Sequence, residues 1–152
     1  MEAREIKFRG QKTSTKEWVY GSLIVNKSGD YTITQITYNP VSKGVINGWC
    51  FGVMPETVGQ YTGLKDRNGK EIYEGDVLSD YTETDEGIIK SHCQVLWNEA
   101  CGSWELDMSM TQNRSYTFYL AEELLDFEYE ISGNIYENPE LLTTPTTGDK
   151  KD

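Results

Sequence analysis

Short extended runs, each closed by Gly, Asn, Asp or Pro, set the limits on what this chain can fold into. Trp18–Val25 and Tyr31–Tyr38 are rich in β-branched and aromatic residues and flank the turn cluster Asn26-Lys27-Ser28-Gly29-Asp30. Asn39-Pro40 ends the second run, because the residue before proline is pushed out of helical geometry. Glu5-Ile6-Lys7-Phe8-Arg9 alternates, which predicts a first strand with Ile6 and Phe8 inward and a loop over Gly10–Thr15. Residues 39–48 read as a loop and Trp49–Val53 as a further strand. Asn68-Gly69 lies between two short extended stretches, Leu64–Arg67 and Lys70–Tyr73. That dipeptide accepts the positive φ angles of a type I′ hairpin. Glu74-Gly75-Asp76 is a second turn before Val77-Leu78.

Gly87–Trp97 is the best strand of the second half. Ile89, Ser91, Cys93, Val95 and Trp97 form its better core face, and Ile88, Lys90, His92, Gln94 and Leu96 the other. Trp104, Leu106 and Met108 alternate, as do Tyr116, Phe118 and Leu120, then Phe127, Tyr129 and Ile131. Ala121–Leu125 reads as one helical turn, and Asn138-Pro139 as the cap and first residue of a short helix. The expected fold is therefore mostly β with minor α. A β-rich region covers 1–63, an acidic barrel-like region 64–142, and a disordered Thr-rich tail 143–152.

Charge divides the chain more sharply than hydropathy does. The formal net charge is −11, which argues against nonspecific nucleic-acid binding as the main task. Residues 1–70 hold ten basic and six acidic side chains, net +4, whereas residues 71–152 hold four basic and nineteen acidic, net −15. Glu71, Glu74, Asp76, Asp80, Glu83, Asp85 and Glu86 fall in one stretch without a base. They are read as a solvated acidic face, or as a surface offered to a basic partner.

Signatures of chemistry are few. No apolar run is long enough to span a membrane, and Met1–Glu5 does not open a secretory signal. Cys50, Cys93 and Cys101 have no paired spacing, so a reducing cytoplasm fits best. His92 is the single histidine, and its neighbour Cys93 points to the opposite face of the strand, which excludes an easy nucleophile–base pair. No metal-ligand spacing joins these residues, and no metal or cofactor is expected. The carboxylates at Glu74, Asp76 and Asp80 read as turn chemistry more than as an acid/base pair. Trp18, Tyr20, Trp97, Trp104 and Tyr116 suit core or half-buried positions, since a stacking surface for single strands wants basic residues between the rings.

Three segments resemble the YopX family of phage and prophage proteins. They are Arg4–Gly10 with Glu17–Gly21, the eighteen residues Gln60–Val77, and Gly133–Leu141. The loop at 39–48 and the Thr-rich tail depart from the family pattern. The resemblance implies a mostly β protein whose Glu-Gly-Asp-Val segment, followed by strands, is similar to the start of an SH3-like barrel. It also implies a bacterial host cytoplasm and a gene carried on a phage or mobile element, and it implies no activity. The leading expectation is a non-enzymatic module that binds a host or phage protein. One alternative is an acidic DNA mimic that occupies a basic cleft. Another is nucleic-acid binding through the basic N-terminal half. The oligomeric state is not set by the sequence.

Overall fold

The computed structural model describes residues 3–108 and 117–143. Tyr116 and the tail beyond Thr143 lie outside the described residues. The chain is mostly β and divides into two compact units, Met1–Gly63 and Leu64–Asp152.

The N-terminal unit is an antiparallel sheet of β1 (Phe8–Gln11), β2 (Trp18–Val25), β3 (Tyr31–Asn39), β4 (Gly44–Val53) and β5 (Gly59–Lys65), in the order β4-β3-β2-β1-β5. Its core is thin. Val19, Ile33 and Val53 are buried, with Phe8, Leu23, Tyr31, Phe51 and Val58 packed around them. The first strand begins three residues later than alternation predicts, and Ile6 is exposed. Arg9 and Gln11 are buried in its place. The Arg9 guanidinium lies 4.6 Å from the Trp18 ring, and the Gln11 amide donates to Thr57 Oγ1 at 2.9 Å from the 3-10 turn Pro55–Thr57. The loop expected over 39–48 contracts to a turn at 40–43, and β4 starts at Gly44. Gly44, Gly48 and Gly52 weaken the local β signal there, and pairing with β3 along its length overrides it.

Past Gly63, the end of β5 turns into β6 (Glu71–Tyr73). The turn is not type I′. Gly69 alone takes a positive φ, 78°, while Asn68 does not, so a three-residue loop with a glycine bulge replaces the two-residue one. Asp66 decides the geometry: its Oδ1 accepts from the amides of Asn68 and Lys70, both at 2.9 Å.

The C-terminal unit then builds a five-stranded antiparallel sheet from β7 (Asp76–Thr84), β8 (Gly87–Asn98), β9 (Ser103–Asp107), β10 (Thr117–Tyr119) and β11 (Glu130–Asn134). The order is β10-β9-β8-β7-β11, so β10 and β11 are edges and the described strands do not close into a barrel. Helix α1 (Leu120–Asp126) supplies Leu120 and Leu124 to a core of Ile72, Leu78, Cys93, Val95, Leu106, Met108 and Tyr129. The expected core face of β8 holds at Ser91, Cys93 and Val95. Its ends turn outward, where Trp97 meets Trp104 edge-on at 4.8 Å. Helix α2 (Glu140–Thr143) is a single turn. Asn138 does not cap it through its side chain; that oxygen accepts from the Asn134 amide.

Candidate functional site

The seven carboxylates singled out in the sequence do not share one environment. Asp76 is buried, and its Oδ2 accepts from the Tyr73 amide at 2.7 Å, which ties down the turn. Glu71 and Glu74 are half-buried, and the Tyr73 hydroxyl lies 3.5 Å from Glu71. Asp80 and Glu83 stand three residues apart on β7, hence on opposite faces, while Asp85 and Glu86 form the two-residue turn into β8. Glu83, Asp85 and Glu86 are exposed at the tip of that hairpin.

His92 has a different partner from any considered above. It pairs across the ladder with Ser79, and its Nδ1 shares a 2.8 Å hydrogen bond with Ser79 Oγ. Ser79 also hydrogen-bonds the hydroxyl of Ser132, the residue bulged out of β11. Alongside, Tyr81 donates to Glu130 at 3.2 Å and the Lys90 ammonium sits 5.1 Å from the Tyr81 ring centre. Burial holds the His92 pKa below its ordinary value, and the positive charge of Lys90 acts in the same direction. A Ser–His pair is the raw material of acyl transfer. Here the serine is fully buried and committed to a second hydroxyl. That geometry suits bracing a bulge better than attack on a substrate.

Cys93 is on the other face of β8, in the core. Burial, then the charges of Glu123, Asp80 and Asp107, push its thiol up to about 12. Tyr129 is pushed up as well by burial and by Cys93, and its hydroxyl donates to Glu123 at 2.9 Å. Cys50 and Cys101 are exposed free thiols. Among the described residues, no group of three or more His, Cys, Asp or Glu side chains gathers to hold a metal ion. No described helix is long and apolar enough to cross a membrane.

The least satisfied surface is one the sequence did not single out as a unit. On β2, β3 and β4, residues alternating with the core positions Leu23, Ile33 and Phe51 point outward. These are Tyr20, Ser22 and Ile24; Thr32 and Ile36; and Gly48, Cys50 and Gly52, while Thr34 on the same side of β3 is buried and donates to the Ser22 carbonyl. Ile24 is 51% exposed, Ile36 57% and Tyr20 42%. Gly48 and Gly52, opposite Ile36 and Thr32 on β4, add no side chain to it. The signal was present as an apolar residue on each face of β2 and β3, but it looked like ordinary β propensity.

The motif segments of the C-terminal unit meet. Gly75 has φ 89°, donates to Val95 and accepts from Ile135, both at 2.9 Å, and a Cβ on it would lie 3.0 Å from the Tyr136 ring. Asn134 Oδ1 accepts from the amides of Tyr136 and Glu137, and Asp66 Oδ2 accepts from Ile131 at 3.0 Å.

Residues 7–143 match a family model described as YopX protein. None of the curated proteins matches the chain. Among solved structures, it is similar to protein EF1440 from Enterococcus faecalis, with a TM-score of 0.58 at 25% identity over 92% of this chain and 99% of that one.

Proposed function

Since this chain belongs to the YopX family, we propose that it acts as a non-enzymatic protein-interaction module and docks a partner on the outer face of β2–β4. The observation that carries this is the exposure of Tyr20, Ile24 and Ile36 on the same side of β2 and β3, in a unit whose core cluster has only three buried residues. Exposed apolar side chains on one side of a sheet suit contact with a partner. The engaged, buried Ser79 and the unreactive Cys93 support the non-enzymatic part. Two exposed free thiols suit a reducing bacterial cytoplasm, and the family resemblance suits a partner of phage or host origin. An SH3-like reading of the C-terminal unit rests on the antiparallel meander β7-β8-β9 after the Glu-Gly-Asp-Val segment.

The test compares affinity capture from phage-carrying cells by the wild-type chain and by the double variant Ile24→Glu/Ile36→Glu. The variant is expected to lose the proteins that the wild type retains, with an unchanged thermal midpoint because both sites are exposed. Identical captured sets would overturn the assignment to this face.

A further inference from the structure

Ser79 holds the middle of a chain of three polar side chains, on the face of the C-terminal sheet opposite Cys93. It is fully buried, and its Oγ meets His92 Nδ1 on one side at 2.8 Å and the Ser132 hydroxyl on the other. His92 and Ser132 are each half-buried. Ser132 is the extra residue of β11, where the ladder with β7 steps from Ile131 to Gly133. A hydroxyl has one proton to give. Hydrogen-bonded on both sides, Ser79 therefore donates to one neighbour and accepts from the other. With Nδ1 bare, Ser79 donates to the ring and Ser132 donates to Ser79. With a proton on Nδ1, the ring donates to Ser79, Ser79 donates to Ser132, and the Ser132 proton is turned out of the chain.

We propose that neutral His92 carries its proton on Nε2, and that uptake of a second proton at Nδ1 reverses this chain. The bulge of β11 then presents a hydrogen-bond acceptor at neutral pH and a donor in acid. The added proton comes from water and stays on the ring, while the two serine protons only change direction. Both states keep every link, which sets this device apart from an ion pair that acid breaks. Within two ladder positions on the same face, the titratable groups among the described residues are Tyr81 on β7, Lys90 on β8, Asp107 on β9 and Glu130 on β11. Helix α2, packed on β8, carries Glu140. Burial, and then the Lys90 charge, oppose the added proton, which places the reversal below the ordinary imidazole range. The inference is separate from the β2–β4 face, since it concerns the other unit and needs no partner.

The test follows the isotope-labelled full chain by NMR from about pH 8 to about pH 5. Ring spectra at the upper end are expected to show a bare Nδ1 and a protonated Nε2. Through the His92 titration, the amides of Ser132 and Gly133 should shift with the midpoint of the ring. In Ser79→Ala the ring should still titrate while that amide response is lost. A field effect of the ring charge alone would survive the same substitution. In Glu130→Gln the response should persist and still follow the ring. A protonated Nδ1 in the neutral ring, Ser132 and Gly133 amides that stay still while the ring titrates, or a response undiminished in Ser79→Ala overturns the proposal. Loss of the response in Glu130→Gln overturns it as well, because the shifts then belong to that carboxylate. Should Ser79→Ala fail to fold, Ser132→Ala must silence Gly133, and a persisting shift there overturns it equally.

Discussion

Asp66 shows how much one side chain can organise. Its two oxygens accept three backbone amides, from Asn68 and Lys70 within the hairpin and from Ile131 on β11, and the residue is 7% exposed. Truncation to alanine leaves those donors without acceptors in a site that water barely reaches. Asp66→Ala should lower stability by about 2–4 kcal/mol, read as a shift of the urea midpoint. From sequence, Asp66 falls within the extended stretch Leu64–Arg67, because a partner 65 positions away has no local signature. Cys93 was easier to place: alternation along β8 put it inward and His92 outward, as the structure does. With its thiol raised to about 12 and buried, native Cys93 should escape iodoacetamide at neutral pH while Cys50 and Cys101 react. Intact-mass measurement should show two adducts in native conditions and three in denaturant.

Among the elements, the hairpin of β3 and β4 is the one whose length the sequence concealed. Three glycines hid the strand that begins at Gly44, while Asn39-Pro40 correctly marked the end of its partner. Only Tyr31–Thr34 of β3 pairs with β2, so residues 35–49 form a two-stranded ribbon without a third strand. Such a ribbon is marginal in water. Its amides should exchange with deuterium well ahead of those flanking Leu78 and Cys93 in β7 and β8, where both strands have further neighbours. Equal protection in the two hairpins would show that the ribbon is covered. At the first strand the local pattern misled for another reason. Ile6 and Phe8 satisfy alternation, yet a guanidinium stacked on Trp18 makes Arg9 an acceptable inward residue. No periodicity argument finds such a pair.

For the molecule as a whole, the mostly β character was legible because alternation and turn chemistry repeat along the chain, and the family because its motifs are long. The arrangement of charge was not legible. Asp76 is consumed inside a turn, and Asp80 and Glu83 are separated by the pleat, facts that depend on register. Global stability should carry the mark of His92. Its folded pKa lies below the ordinary 6.5, so the unfolded chain takes up the proton first as pH falls. That stabilising contribution is complete above about pH 6.5 and is lost as pH drops from there through the lowered folded value. Thermal midpoints measured across that window should fall more steeply for the wild type than for His92→Gln. Parallel curves would assign the acid sensitivity to the carboxylates.

The clasp between the two C-terminal motifs also sets a timetable for synthesis. Asp66 and Gly75 leave the ribosome long before Ile131 and Ile135, the residues that complete their hydrogen bonds. Until those residues emerge, the hairpin around Asn68-Gly69 lacks the strand that fastens it. A chain whose translation stops short of Asn134 therefore loses structure around Asn68-Gly69 as well as at the point where it stops.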